Sequence, residues 1–159
     1  MKTNLPDFSE LKFLIVDDEP FMLSMIERML RQCNAGLILK ASDGVQAAGI
    51  LSGDIAKIDC VISDCNMKPM NGLQLLQAIR SGVDPKIARN QPFILLTGHG
   101  ERNLVQTAIQ LDVNGYVVKP VAMDTLVHAI TRAVGVSKPP KGSPIYRDIQ
   151  IPKVQTAVA

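Results

Sequence analysis

Four apolar runs of this sequence each end at side chains that could bind metal ions or phosphate. In chain order, the polar residues that follow these runs are Asp17 and Asp18, Asp64, Thr97 and Lys119. If the runs are neighbouring strands of a parallel sheet, their carboxyl ends meet at one edge, where open α/β proteins bind ligands. Three carboxylates, a hydroxyl and an ammonium would then face a single crevice.

The three carboxylates repel one another, so a shared position implies a cation. Two carboxylates about 4 Å apart repel by roughly 4 kcal/mol at an effective dielectric constant of about 20. Asp17, Asp18 and Asp64 can therefore share a site only if a cation joins them. A small set of oxygen ligands suits Mg²⁺, which keeps several water molecules and leaves room for phosphate oxygens. For Asp64 taken alone, capping of the next helix is a competing interpretation.

Short apolar runs alternate with helical patterns five times along the chain. The predicted strands cover residues 12–16, 37–41, 60–64, 93–96 and 116–118. Their apolar character is continuous rather than alternating, which is typical of strands buried on both faces of a parallel sheet. The alternation of strand and helix predicts an α/β fold with a doubly wound parallel sheet and helices on both faces.

Each predicted strand is followed by residues with helical spacing. In the first helix, the apolar residues that share one face are Met22, Met25, Ile26, Met29 and Leu30. This stripe predicts a helix with one side toward the core. The remaining four helices are expected to begin near residues 45, 72, 101 and 123.

The chain is long enough for one domain and a tail. It has 159 residues, of which 47% are hydrophobic, so it can bury one sizeable core. The periodic patterns stop beyond Gly135, and residues 137–144 are rich in Pro, Lys, Gly and Ser, which is typical of a linker. We therefore predict a folded domain over residues 1–136 and a linker-like tail over residues 137–159, without a second folded domain.

The tail still carries apolar side chains, such as Tyr146 and Ile149, that could lie on the domain or on a partner. The tail leaves the domain at the end of the last helix. We therefore expect it to cover or extend the face formed by helix 101–111, strand 116–118 and the helix from Met123. Its cations are expected to be solubilising.

Charge and composition argue against several classes of protein. The net charge of +2 is too small to indicate a nucleic-acid or membrane surface, and no apolar stretch reaches the length of a membrane span. The first residues include Pro6 and Asp7, where a secretion signal needs an apolar core. We therefore expect a cytoplasmic protein that binds neither DNA nor membranes. The three cysteines lack metal-ligand spacing, so reduced thiols are expected.

In order and strand context, these polar positions resemble the receiver domain of two-component response regulators. The resemblance covers about residues 12–134, and the loop Asp64-x-x-Met67-x-Pro69-Met70-x-Gly72 is also similar to the family's loop after its phosphorylated Asp. It implies a flavodoxin-like fold, with a five-stranded parallel sheet in the order 2-1-3-4-5 and five helices.

The resemblance also implies a reaction. A histidine kinase or a histidine phosphotransfer protein would transfer a phosphoryl group to Asp64. Mg²⁺ would be held by Asp17 or Asp18 together with Asp64, and by the backbone carbonyl of Asn66. It would neutralise charge on the phosphoryl oxygens.

Four further positions take roles from the same resemblance. Lys119 would pair with one phosphoryl oxygen, and the Thr97 hydroxyl would donate a hydrogen bond to another. Tyr116 would be the switch aromatic, exposed in one state and turned inward in the other; a ring simply packed on the last strand is the alternative. Asn66 and His99 occupy variable positions that tune loss of the phosphoryl group.

We therefore predict a response regulator, a signalling switch that catalyses only its own phosphorylation and dephosphorylation. Phosphorylation would change its affinity for an unidentified output protein. A phosphorelay intermediate or a phosphate sink would use the same site and stays open. From other classes, a phosphorylation-independent adaptor would need none of the five site positions, and a Mg²⁺-dependent phosphohydrolase would need a further acid-base pair.

Overall fold

The computed structural model describes residues 4–54, 57–98 and 101–153. Within these ranges the chain forms five strands and six helices. The strands are β1 (Lys12–Val16), β2 (Leu37–Ala41), β3 (Cys60–Asp64), β4 (Phe93–Thr97) and β5 (Gly115–Val118). The helices are α1 (Pro20–Gln32), α2 (Gly44–Ser52), α3 (Gly72–Ser81), α4 (Arg102–Gln110), α5 (Met123–Gly135) and α6 (Ser143–Arg147). None of the helices in these ranges has the length and hydropathy that crossing a bilayer requires.

The five strands form one parallel sheet in the order β2-β1-β3-β4-β5. This arrangement confirms the predicted flavodoxin-like α/β fold and its strand order. In the register of the sheet, Asp64 lies beside Leu96, and Thr97 lies beside Val118. The central strands therefore end close to one another, and the polar residues at their ends meet at one edge.

The core lies on both faces of the sheet. Side chains alternate across a strand, so β1 places Leu14 and Val16 in one apolar cluster and Phe13 and Ile15 in the other. Every residue of β3 and β4 is buried. Because both faces are covered, these strands need apolar side chains at nearly every position, which explains their continuous runs.

The turn from β3 into α3 brings the helix start close to Asp64. The Asn71 side chain accepts a hydrogen bond from the Gln74 N–H (2.8 Å), and the Gln74 side chain accepts one from the Asn71 N–H (2.9 Å). A Cβ atom at Gly72 would overlap the backbone carbonyl of Asp64. Only glycine therefore allows α3 to begin directly against the end of β3.

The tail contains α6, a helix beyond the five that were predicted. Residues 136–142 are exposed and lack regular secondary structure, as their linker-like composition predicts. α6 then packs mainly on α3. Residues 138–141 line a cavity with Ile109 of α4 and Arg132 of α5, but the expected placement over α4, β5 and α5 is wrong for α6. The reason is Tyr146, whose ring is fully buried in the apolar cluster on the α3 side of the sheet.

Candidate functional site

The acidic residues predicted to share a site lie together at the carboxyl edge of the sheet. One carboxylate oxygen from each of Asp17, Asp18 and Asp64 lies within 4.8 Å of the others. Asp17 and Asp64 are buried, whereas Asp18 is exposed. The fold therefore brings three acidic side chains to one point, and two of the three are buried.

Asp17 has the environment of a metal ligand. Its Oδ1 accepts a hydrogen bond from the Glu19 N–H at 2.9 Å, whereas its buried Oδ2 has no hydrogen-bond partner among the described residues. Burial raises the pKa of Asp17 from 3.8 to about 7; the Glu19 N–H lowers it and the Asp64 charge raises it further. A buried carboxylate oxygen without a partner is costly, and a bound cation would satisfy it. The residues present thus fit Mg²⁺, a hard ion with oxygen ligands.

Asp64 forms an ion pair across the crevice with Lys119. The Lys119 Nζ lies 2.7 Å from Asp64 Oδ1. Burial raises the pKa of Asp64, while the Lys119 ammonium lowers it. Burial alone would lower the pKa of Lys119, but its hydrogen bond and charge interaction with Asp64 raise it overall. Each group therefore favours the charged form of the other, and Asp64 is left with a cation on one oxygen.

Thr97 ends β4 on the other side of Asp64 and is buried. Its carbonyl accepts a hydrogen bond from the Lys119 N–H at 2.7 Å, which ties the end of β4 to the residue that follows β5. Tyr116, on β5, has 46% of its surface exposed. A groove of about 530 Å³ is lined by both of these residues, together with Val105 and Val118. The groove offers space beside Thr97 into which the Tyr116 ring could turn.

Glu101 belongs to the same neighbourhood, and sequence reasoning missed it as a site residue. Its carboxylate accepts a hydrogen bond from the Gly98 N–H at 2.8 Å. Its charge contributes to raising the pKa of Asp64 and that of Cys65. The usable signal was an acid directly before a helix and close in sequence to Gly98, within reach of the polar end of β4. Cys65, beside Asp64, has its pKa raised mainly by burial to about 12, so its thiol stays protonated.

The roles of all the predicted site residues stay predictions, and for two of them the structure gives no supporting contact. Asn66 is half-buried in the loop after β3, and no described contact bears on its carbonyl as a metal ligand. His99 lies outside the described residues. The five positions with strand context, in contrast, all lie at one edge of the sheet: Asp17, Asp18, Asp64, Thr97 and Lys119.

Comparison with known proteins agrees with this arrangement. The family model for the response regulator receiver domain matches residues 13–131 of the chain, and the match ends before the tail. A protein from Rhizobium etli described as a probable chemotaxis protein CheY is 36% identical over 129 residues, which are 81% of this chain and 96% of that protein.

Solved structures show the same fold. A response regulator receiver domain protein from Clostridium thermocellum has a TM-score of 0.70 and 30% identity, covering 79% of this chain and 94% of its own. The receiver domain of a sensor histidine kinase from Pseudomonas aeruginosa was solved with a magnesium ion in its active-site cleft. It has a TM-score of 0.67 and 26% identity, covering 79% of this chain and 98% of its own.

Proposed function

This chain belongs to the response regulator receiver family, and from that premise we propose that it accepts a phosphoryl group on Asp64. The donor would be a histidine kinase or a histidine phosphotransfer protein. Phosphorylation would change the affinity of the chain for a protein partner. The protein would act as a signalling switch in the cytoplasm, and the only reactions it would catalyse are its own phosphorylation and dephosphorylation.

The observation that carries this proposal is the pairing of Asp64 with Lys119 beside two further carboxylates. Asp64 combines three properties that a phosphoryl acceptor needs: a position at the carboxyl end of a central strand, a cation on one oxygen and two further carboxylates alongside. Asp17 has one oxygen engaged by the Glu19 N–H and has no ion pair with Lys119 in the described residues. Asp18 is exposed and has no ion pair with Lys119 in the described residues.

In the proposed reaction, an oxygen of the Asp64 carboxylate attacks the phosphorus of a phosphohistidine. A P–O bond forms as the P–N bond breaks, and the imidazole nitrogen keeps the bonding electrons and takes up a proton. When bound by Asp17, Asp18, Asp64 and the Asn66 carbonyl, Mg²⁺ supplies positive charge to the phosphoryl oxygens. The magnesium-bound receiver domain from Pseudomonas aeruginosa supports this assignment of the metal.

The residues of the chain itself then hold the product. Lys119 already contacts Asp64 and has a flexible stem, so its ammonium can follow the charge onto a phosphoryl oxygen. The Thr97 hydroxyl would donate to another oxygen. Movement of Thr97 toward Asp64 would enlarge the space beside it, and inward rotation of the half-exposed Tyr116 ring would fill that space.

The proposal is tested by intact-mass analysis after incubation with Mg²⁺ and acetyl phosphate. The native chain should gain one phosphate adduct, whereas Asp64→Asn should gain none. Asp54→Asn, an exposed position away from the cluster, is the matched control and should behave as the native chain. An adduct that persists on Asp64→Asn would overturn the assignment of the acceptor.

A further inference from the structure

Residues 138–151 form a segment whose one aromatic side chain, Tyr146, is buried in the domain; we call this segment the strap. Tyr146 lies on α6, a helix of only five residues, and yet its side chain is fully buried. Ile149 and Ile151 pack against the same apolar cluster. The residues on either side of Tyr146 are mostly exposed, and the connection to α5 over residues 136–142 is exposed throughout.

On one side, the strap is bound by α3. The Gln77 side-chain amide donates hydrogen bonds to the carbonyls of Tyr146 (2.9 Å) and Ile149 (2.8 Å). The Ser143 hydroxyl donates to the carbonyl of Ser81 at the end of the helix. The Gln77 contacts engage backbone carbonyls of the strap and fix its path over α3, whereas the Ser143 contact uses a side chain of the strap.

On the other side, the strap is bound by the turn between α4 and β5. The Tyr146 hydroxyl donates to Asp112 Oδ2 at 2.7 Å, and the Lys141 ammonium lies 3.7 Å from the same oxygen. Asp112 has a left-handed backbone conformation (φ 54°), so this turn has a defined shape that the two contacts hold. A proton donor and a cation from the strap therefore meet one carboxylate of the turn.

The turn connects directly to the elements of the proposed switch. Arg80, on α3, donates to the carbonyls of Leu111 and Asp112 and to Asn114 Oδ1. Asn114 Oδ1 also accepts from the Phe93 N–H at the start of β4. Tyr116 follows two residues after Asn114. The strap thus clamps the turn whose two ends are α4 and the strand that carries Tyr116.

We propose that the strap is a tethered regulatory segment that favours the unphosphorylated state by holding the turn between α4 and β5. This inference rests on the proposed function. The strap is docked in a conformation in which Lys119 pairs with Asp64 and the Tyr116 ring is turned outward. A contact made more strongly in one of two states shifts the equilibrium toward that state.

Linkage makes the effect reciprocal. If the docked strap opposes phosphorylation, phosphorylation must in turn weaken docking of the strap by the same factor. A released strap would present Tyr146, Ile149 and Ile151 to solvent or to a partner. The docked strap is therefore an intramolecular ligand whose release accompanies activation.

The test compares Tyr146→Phe with the native chain. This change keeps the buried ring and removes the hydroxyl, which donates to Asp112 of the turn and accepts from the Lys141 N–H within the strap. Beryllofluoride with Mg²⁺ serves as the phosphoryl mimic, and its bound fraction is followed by ¹⁹F NMR. Half-saturation should occur at a roughly two- to tenfold lower concentration in Tyr146→Phe, the equivalent of one hydrogen bond's net contribution. A chain ending at Val136 should show the same direction of change.

Ile145→Ala is the matched control, because Ile145 is on the same short helix and its side chain is exposed. Ile145→Ala should reach half-saturation at the same beryllofluoride concentration as the native chain. The reciprocal readout is trypsin cleavage after Lys141 or Arg147, which beryllofluoride should accelerate in the native chain. Thermal melts establish that each variant is folded, and Tyr146→Phe decides the question if the truncated chain is not.

The possible outcomes distinguish failure of the proposed function from failure of the proposed regulatory role of the strap. If the native chain binds no beryllofluoride, the proposed function itself fails. If the native chain binds it and Tyr146→Phe half-saturates at the same or a higher concentration, the strap is only packing and the inference is overturned. A shift of equal size in Ile145→Ala overturns it as well, because the effect would not depend on Tyr146.

Discussion

The Lys119 ammonium lies 2.7 Å from Asp64 Oδ1, at the point where two further carboxylates meet. This cation partly compensates the negative charge of a cluster of three carboxyl groups in a largely buried crevice. In the proposed reaction the same ammonium would follow the new charge onto a phosphoryl oxygen. Structure and proposed chemistry therefore depend on one side chain.

Substitution of Lys119 should both slow phosphorylation and destabilise the fold. We expect Lys119→Met to slow phosphorylation by acetyl phosphate about 10- to 100-fold, as loss of one electrostatic contact to a reacting group does. The free energy of unfolding without Mg²⁺ should fall by about 1–3 kcal/mol, since the buried Asp64 loses its partner. Phosphorylation rates and urea titrations measure the two effects.

Lys86→Met, which removes an exposed lysine after α3, is the control for loss of a positive charge. It should leave both measurements unchanged. An unaltered phosphorylation rate in Lys119→Met would mean that this residue serves the fold and not the reaction.

Asp17 should make the metal-free chain less stable as the pH rises. Its pKa is about 7 in the folded state against an ordinary value of 3.8, so the folded state holds a proton that the unfolded state releases. The stabilisation is complete below the unfolded pKa and is lost as pH rises through the folded value. Between pH 5 and pH 8 the unfolding free energy should therefore fall, with Asp17 contributing on the order of 1–3 kcal/mol.

Urea titrations in EDTA at the two pH values measure this slope. Asp17→Asn keeps an oxygen for the Glu19 N–H and removes the charge, so its slope should be shallower. Asp18→Asn is the matched comparison and should change the slope less, because Asp18 is exposed and its charge is screened by water. Mg²⁺ at pH 8 should stabilise the native chain and have a smaller effect on Asp17→Asn. Equal slopes in all three chains would contradict the assignment to Asp17.

Thr97 should connect the phosphoryl group to Tyr116. Thr97→Val keeps the shape of the side chain and removes its hydroxyl, so Asp64 should still be phosphorylated while the Tyr116 ring stays exposed. The measurement is quenching of tyrosine fluorescence by acrylamide. It is made with Tyr146→Phe as the background, which leaves Tyr116 as the single tyrosine of the two in the chain.

With Thr97 present, beryllofluoride should reduce quenching, since the ring turns inward. With Thr97→Val, quenching should stay as it was without the mimic. Thr125→Val, an exposed threonine on α5, is the control and should preserve the decrease. A decrease that persists in Thr97→Val would show that the ring responds to phosphorylation by another route.

The strands, the helices and the position of the acidic cluster were predictable from local patterns. β1 and β3 end where the continuous apolar runs end, at Val16 and Asp64. Burial on both faces demands an uninterrupted apolar run, and emergence from the sheet demands polar residues, so sequence alone marks both boundaries. The strand order came from the resemblance, because apolar runs do not specify which strand lies beside which.

Other features were decided only by tertiary structure. No local pattern distinguishes buried Asp17 from exposed Asp18, because neighbouring strands and helices set the depth of each side chain. From its charge alone, Arg80 on α3 would be placed at the surface. It is instead buried and donates to the carbonyls of Leu111 and Asp112, which are 31 and 32 residues away.

The tail shows most clearly that local sequence does not determine which side chains are buried. Its Pro, Gly and Lys residues are consistent with the exposed connection without regular secondary structure over residues 136–142, because that composition acts locally. Tyr146 is buried through a contact with Asp112, 34 residues earlier, and through the carbonyl bonds to Gln77. Whether an aromatic residue in a polar tail is exposed or docked depends on a complementary groove elsewhere in the fold, and only the assembled structure supplies that groove.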